Sequence, residues 1–574
     1  MPVKIPRGPI FGFKKLKLIF ILQDGEAEKA LVNRKKIYND AKGDMSKTND
    51  LHIIESKRLQ PWLASDMMLI AGLAFFKLMA HLLTNANYEL HRDVYLYLAL
   101  AEHPAWGYIS VPPLTPMIGK LALALFGGSA IAVGFFPALI GAISVLVIAL
   151  LVKELGGTTW ALVLACMAFM LSPSFLRSNT FLMPVSFDQF AWLLSGYFIF
   201  KLVQKPAPQY WIHLGILWGI AFLNKYAIVF LVVAFLLALL LTSQRNLLRS
   251  RYFGLGFLLG GLIILPNLVW QYKHNWPVIG HMEELRRTQL VNVHPGDFLM
   301  LQLLMNFHAA MVWLAGLVFL LFSKEGRRWH VLGLTFLFTV GILLLLSGKA
   351  YYTLGVYPLL FAAGGVAIEK KFAIRWRFLR PAVLGVMIFI FLPLLPYSLP
   401  VLSFAKMAAY AEASKKFGLE GALVWEDGRV HQLPQDYADM TGWRALAEIV
   451  IKTYQNLNEA EKANCAIYAE NYGQAGAIKY HGRQLGLPEP ICFNETFVLW
   501  APDSVAKQPM LIYVNDELGE DIQQLFADIA LAGKVDNAYF RENGLQVYLC
   551  RNPRPEFAAF YREKVRRLKN RYQK

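Results

Sequence analysis

The stretch Ala130-Ile131-Ala132-Val133-Gly134-Phe135-Phe136-Pro137-Ala138-Leu139-Ile140-Gly141-Ala142-Ile143-Ser144-Val145-Leu146-Val147-Ile148-Ala149-Leu150-Leu151-Val152 contains no charged residue and stops at Lys153. At roughly 1.5 Å per helical residue it is about 35 Å long, enough to cross the roughly 30 Å core of a bilayer. Comparable runs recur near 62–84, 158–176, 181–200, 253–270, 302–322, 329–347, 352–369 and 379–400, with shorter ones near 210–223 and 226–242. The expected fold class is therefore an α-helical polytopic membrane protein with about eleven, and at most thirteen, transmembrane helices. The apolar stretch 114–127 is short, follows Pro112-Pro113 and ends in Gly127-Gly128. It reads as re-entrant or interfacial.

Composition agrees. The 574 residues are 56% hydrophobic and 17% charged, against roughly 45–50% and about 25% in soluble domains. A soluble globular enzyme, a disordered chain and a disulfide scaffold are excluded. The net charge of +17 would suggest nucleic acid in a soluble protein. Here the basic residues sit on alternate loops: Lys153; Lys201 and Lys205; Arg245, Arg249 and Arg251; Lys324, Arg327 and Arg328; and Lys370, Lys371, Arg375, Arg377 and Arg380. Short cytoplasmic loops collect Lys and Arg, so the charge is a topology signal and no nucleic-acid partner is expected.

That pattern places a basic N-terminal segment, 1–60, in the cytoplasm and a membrane domain at 61–402. An odd number of spans puts 403–574 on the periplasmic side of the inner (plasma) membrane. Met45 is an alternative start, and residues 1–60 carry no cleavable signal pattern. From 403 the composition turns soluble. Strand-like runs at 466–469, 497–501, 511–514 and 545–550 alternate with helix-like runs at 440–456, 472–485 and 518–532, which predicts a soluble α/β domain with a basic tail at 562–574. The tail reads as a solvated helix end or as a contact for anionic head groups. Cys166, Cys465, Cys492 and Cys550 have no metal-ligand spacing; no metal or cofactor is expected, and one disulfide could form among the last three.

The long outer loops, 85–129 and 271–300, carry the chemistry-bearing residues. Arg92-Asp93, followed by Tyr95, Tyr97, Trp106-Gly107-Tyr108 and Pro112-Pro113, suits a carboxylate held at the membrane surface to take a proton from a hydroxyl; an interfacial aromatic belt with an ion pair would look alike. Asp188 opens a span on the same side, either as a functional acid or as a helix N-terminal charge. Lys349, beside Tyr351 and Tyr352, could hold a lipid phosphate or snorkel among belt aromatics. Arg286 and Arg287 add charge on this side. Lys77 and His81 share a face of the first span, and Lys77 is expected to snorkel outward. Asn494-Glu495-Thr496 matches the short N-glycosylation pattern.

In this order, Arg92-Asp93, Trp106-Gly107-Tyr108 with Pro112-Pro113, Phe187-Asp188, Leu265-Pro266-Asn267-Leu268-Val269-Trp270-Gln271-Tyr272 and Lys349-Ala350-Tyr351-Tyr352 resemble the dolichyl-phosphate-mannose protein mannosyltransferase superfamily. The bacterial branch, glycosyltransferase family 39 or aminoarabinose-transferase-like, is nearest. Leu433 to Met440, Gly442-Trp443 and Asn471 to Ala475 resemble the outer domain attached to many such proteins. The resemblance implies a GT-C bundle and an inverting transfer of a sugar from a polyprenyl-phosphate donor to an acceptor hydroxyl at the outer face. The acceptor would be a lipid, a polysaccharide or a protein. It implies Asp93 as base and Asp188, Tyr108, Pro112 and Pro113 as site-ordering residues. Lys349, Tyr351, Tyr352 and Arg92 would bind the donor lipid phosphate. It also implies an acid after Asp93 and a histidine or acid before the di-proline, where this chain has Val94 and Ser110-Val111; Glu89 and Glu102 are the loop's other acids. The competing classes are a lipid or polyprenyl-phosphate transporter (a flippase) and a catalytically inactive family member.

Overall fold

A backbone in hydrocarbon has to satisfy its own hydrogen bonds, so every long apolar run is driven into a helix. The computed structural model describes residues 64–204, 207–373, 376–505 and 509–572. The expectations for segment 1–60, Met45, Lys205, Arg375 and the end of the tail lie outside them. All eleven apolar runs are helical, as Ala64–Thr84, Ala130–Glu154, Thr159–Met170 with Pro173–Ser178, Pro184–Gln204, Tyr210–Phe222, Ile228–Leu240, Arg251–Lys273, Pro295–Leu304 with Ala310–Phe322, His330–Leu345, Tyr357–Lys371 and Leu379–Phe391. Six of the described helices are long and apolar enough to cross a membrane by themselves, or eight if each bent pair counts as one span; the bends are 117° after Leu240 and 62° after Leu304. The others owe their place to neighbours. Thr159–Met170 is too short to span alone, but it is buried between Ala130–Glu154 and Tyr357–Lys371 and meets little lipid. The helix Leu114–Phe126 is likewise short, about 20 Å.

Glycine sets the closest helix approaches. Gly215 and Gly219 on one helix face Gly256 and Gly260 on another. A Cβ at Gly215 would fall 1.9 Å from the Gly256 carbonyl oxygen, and one at Gly256 would fall 2.2 Å from that of Trp211. Small residues four apart let backbones touch where lipid supplies no hydrophobic drive. Gly256→Ala should therefore push the pair apart and cost about 1–3 kcal/mol, read as a lower melting temperature in detergent; an unchanged melting curve would contradict the packing.

Loops assigned to one side by charge meet one another. At the basic end Lys153 pairs with Asp66 at 2.7 Å, Lys201 with Glu154 at 2.8 Å, and Lys370 with Glu325. Thr158 donates to Glu369 from both its amide and its hydroxyl. At the opposite end Asn224 bonds Thr115 and the Pro184 carbonyl, and Tyr88 bonds the Leu402 carbonyl. The alternation of charge thus corresponds to two physical ends.

Beyond Phe404 lies a four-stranded sheet in the order β1-β2-β4-β3, with β1 Cys465–Ala469, β2 Met510–Asn515, β3 Phe526–Lys534 and β4 Gln546–Pro553. β1 and β2 are parallel, with Ile467 beside Ile512; the other pairs are antiparallel. Helices Trp443–Gln455 and Tyr472–Gly482 pack against it. The core they form, around Trp443, Val450, Ile467, Ile478, Ile512 and Val547, also takes in Tyr95, Leu96, Ala99 and Leu100 of the first outer loop. That loop is therefore built into the C-terminal fold.

Three sequence expectations are corrected. The run 497–501 is no strand: Phe497–Trp500 is one helical turn, because so short an apolar run has no decisive period and its Phe497 is buried in the core that holds the first loop. The helix expected over 518–532 stops at Leu525, and 526–534 pairs with β4 as an edge strand with a bulge near Leu531; strand pairing outweighs the helix propensity of its alanines and leucine. Cys465, Cys492 and Cys550 are all free. Cys465 sits beside Met510 on β2 and Cys550 beside Leu511, which puts two strand spacings, about 9–10 Å, between them.

Candidate active site

The first outer loop turns into the helix Arg92–Glu102 at His91, whose Nδ1 accepts the Asp93 amide at 3.1 Å. This cap fixes Asp93 in the first turn, where the helix dipole favours an anion. The Tyr472 hydroxyl donates to Asp93 Oδ1 at 2.7 Å. Tyr472 begins a second helix, capped by Asn471, whose side-chain oxygen accepts from Gly473 and Gln474. The carboxylate is thus held between two helix starts, 379 residues apart in sequence. Arg92 is drawn to the same place: its guanidinium lies 4.6 Å over the Tyr472 ring, with Nε 3.9 Å from Glu542. A Cβ on Gly473 would fall 2.7 Å from Arg92 Cγ, so only glycine fits there.

Beneath this pair His91 Nε2 lies 3.8 Å from Asp436 and 3.7 Å from Asp439, and Arg541 also pairs with Asp439 at 3.1 Å. Burial works against a charged imidazole, but Asp436, Asp93 and Asp439 outweigh it and hold the His91 pKa above its usual value. The charged ring gives up the Nδ1 cap, since both its nitrogens then donate, and is held instead by the carboxylates facing Nε2; the stability from that charge is complete below about pH 6.5 and is lost as pH rises through the raised folded value. The melting temperature should therefore fall between pH 6.5 and the mildly alkaline range. His91→Asn, which keeps a capping oxygen, should flatten that slope; an equal slope would rule His91 out as its source.

The motifs after Asp93 lock onto a later helix. Asn267 donates to the Trp106 carbonyl at 2.7 Å and Gln271 to that of Tyr108 at 3.2 Å, while the Tyr226 hydroxyl donates to Asn267. A Cβ on Gly107 would fall 2.5 Å from the Trp270 ring. Tyr108 is buried and ties Leu100 and His103 together through its hydroxyl. Pro112 and Pro113 are buried too, and Pro113 starts the helix Leu114–Phe126.

Lys349 starts the turn Ala350–Val356 and bonds Gln289 at 2.5 Å and Glu426 at 3.3 Å. The rings of Tyr351 and Tyr352 pack edge to face at 4.7 Å. Over them lies a cation that the sequence reading missed: the Lys225 ammonium is 4.4 Å from the Tyr352 ring centre and 5.2 Å from that of Tyr351. Its sequence signal was a lysine in the turn Asn224-Lys225-Tyr226, on the side that the charge bias leaves poor in lysine. Asp188, 4% exposed, accepts the Trp192 indole at 3.0 Å and interacts electrostatically with Lys225. Asp93 in turn lies within electrostatic range of Tyr351 and Tyr97. The structure thus assembles Asp93, Asp188, Lys225, Lys349, Tyr351 and Tyr352 at one end of the bundle.

Glu495 was also missed as a site residue, having been read only as part of a glycosylation pattern. It has a left-handed backbone, φ 55°, and its carboxylate lies 3.9 Å from His281 Nδ1. Burial raises its pKa; His281 and Ser110 act against the rise, and Asp93 adds to it. Glu89 and Glu102 are engaged elsewhere, Glu89 accepting the Arg444 amide at 3.0 Å and Glu102 pairing with Lys479 at 3.2 Å. Arg286 and Arg287 are both exposed, and Arg287 also lines a cavity with Glu495. Lys77 does not snorkel: it is 1% exposed inside the bundle, over the Phe169 ring, in space that Gly141 leaves open.

Residues 110–270 match the family described as dolichyl-phosphate-mannose-protein mannosyltransferase. No curated protein matches the chain in sequence. In fold the chain is similar to ArnT from Cupriavidus metallidurans bound to undecaprenyl phosphate, at 14% identity and a TM-score of 0.57, over 84% of this chain and 97% of that one. It is similar to the apo form of the same protein at 12% identity and a TM-score of 0.54, over 85% and 98%. Residues 110–270 thus match the protein-mannosyltransferase family, and the chain as a whole has an ArnT-like fold.

Proposed function

We propose that the protein is an inverting membrane glycosyltransferase that moves a sugar from a polyprenyl-phosphate donor to an acceptor hydroxyl. The observation that carries this is the placement of the Asp93 carboxylate, fixed by Tyr472, at the same end of the bundle as Lys225, Lys349, Tyr351 and Tyr352. One element is a proton acceptor; the other is a cationic cradle for phosphate. The fold it shares with a protein crystallised with undecaprenyl phosphate supports a lipid-borne donor. Asp93 takes the proton of the acceptor hydroxyl as its oxygen bonds to the anomeric carbon. The bond from that carbon to the phosphate oxygen breaks on the opposite face, which inverts the configuration. The lipid phosphate leaves with the electron pair, and Lys225 and Lys349 offset its developing charge. The nearby Asp188 carboxylate favours the charged form of Lys225 against its burial, and Tyr108 with Pro112-Pro113 fixes the loop. Arg92, engaged by Tyr472 and Glu542, steadies Tyr472.

Because the Lys- and Arg-rich loops gather at the opposite end, this site faces away from the cytoplasm in an inner-membrane, multi-pass chain, with residues 403–574 as a periplasmic domain. The test is to give the purified protein radiolabelled sugars on undecaprenyl phosphate together with lipid, polysaccharide and protein acceptors. Transfer with inverted anomeric configuration is expected. Lipid movement across vesicles without transfer would overturn the proposal, as would labelling of the His91–Pro113 loop from the cytosolic side.

A further inference from the structure

A polar cavity of about 610 Å³ lies between the helix Pro277–Thr288, the turn at 493–495 and Arg571-Tyr572. Tyr472 forms part of its wall, and the Tyr472 hydroxyl is the donor to Asp93. Gln289, which holds Lys349, forms another part. The cavity therefore borders both halves of the proposed reaction centre without belonging to either.

Its chemistry differs from that of the phosphate cradle. Glu283, Glu284 and Glu495 face His281, Arg287 and Arg571 in the lining, so opposite charges nearly balance. A phosphate gains little in such surroundings, whereas a neutral ligand rich in hydroxyls finds acceptors and donors together. Trp276, Phe493 and Tyr572 add ring faces, which suit the C–H faces of a sugar. Glu495 is the exceptional member. Its backbone is left-handed, a conformation disfavoured for any residue with a Cβ. Its Oε2 is buried among protein atoms, with the Ser110 side chain close to the carboxylate. That oxygen is sealed even from water, so the hydroxyl of a cavity ligand meets the carboxylate at Oε1, which lies 3.9 Å from His281 Nδ1 at the cavity wall.

We propose that this cavity is the acceptor site and that Glu495 is its anchor: a carbohydrate head group donates a hydroxyl hydrogen bond to Glu495, which aligns a second hydroxyl with Asp93. The C-terminal segment would thereby supply the second acid that the first loop lacks at Val94 and Ser110. The inference rests on the glycosyltransferase reading.

The test uses the full chain in lipid nanodiscs with undecaprenyl-phosphate-linked radiolabelled hexoses and pentoses as donors. Oligosaccharides, a hexosamine-disaccharide glycolipid and a Ser/Thr-rich peptide serve as acceptors. Glu495→Gln and Glu495→Asn, the latter at ease in a left-handed backbone, are compared with wild type after their melting curves are matched. Both variants should raise the acceptor KM about tenfold or more, with the donor KM unchanged. An unchanged acceptor KM in both variants, or transfer to the peptide alone, overturns the acceptor assignment and leaves the glycosyltransferase reading standing. A wild type that releases sugar from no donor overturns both.

Discussion

Asp93→Asn is expected to lower sugar transfer about 10²- to 10⁴-fold, the range that a positioned general base contributes. The substitution leaves the local geometry in place, although it removes one of the three carboxylates that raise the His91 pKa. The His91 cap is made to the backbone amide of residue 93, and an asparagine oxygen can still accept the Tyr472 hydroxyl. The helix start and its dock on the C-terminal fold should therefore survive, and the melting temperature should stay near that of wild type. What disappears is the ability to take a proton. Donor affinity should be retained, because the phosphate cradle is built from Lys225, Lys349 and the two tyrosines. Steady-state transfer, measured beside a lipid-phosphate binding assay, separates these effects; equal turnover by the variant would remove Asp93 as base. Tyr472→Phe should fall between the two enzymes, since it removes the hydrogen bond that orients the carboxylate and leaves the carboxylate itself.

The second large effect is expected from Lys225→Gln combined with Lys349→Gln. Hydrogen bonds to charged groups contribute about 1.5–3 kcal/mol each, so loss of both should weaken undecaprenyl phosphate binding by about 10²- to 10⁴-fold. The single variants should differ. Lys349 is shared with Gln289 and Glu426, so Lys349→Gln also loosens the second outer loop. Lys225 lies over tyrosine faces beside Asp188 and has fewer competing claims. Lys225→Gln should accordingly lose affinity without loosening that loop, read by native mass spectrometry of the lipid-bound protein and by protease protection of 274–300. Wild-type affinity in the double variant would place the phosphate elsewhere.

Much of this geometry could be read along the chain. Lipid allows a backbone few solutions, so runs such as 130–152 had to be helical, and the basic loops at Lys153, Arg249 and Arg328 sorted the ends. Asp188 stood out because an ionisable residue at that depth is costly, Asp93 because it follows an arginine and precedes aromatics and a di-proline, and Lys349 because tyrosines flank it at an outer turn. Strand boundaries were less legible. The stretch 526–534 contains helix-favouring residues, and only β4, further along the chain, makes it a strand.

The site's partners were hidden for a related reason. Hydropathy and periodicity act over a few turns, whereas Tyr472 reaches Asp93, Asn267 reaches Trp106 and Glu495 approaches His281 across separations of more than a hundred residues. The sequence by itself determined which segments lie in lipid, which loops share an end and which charged residues stand out there. Only the tertiary structure decided that the C-terminal segment completes the first loop's core, that Lys225 joins Lys349, and that Glu495 faces the cavity beside Asp93. Solvation by lipid acts on each segment separately, but a binding site exists only where distant segments pack, and packing depends on shapes and hydrogen bonds that no single segment carries.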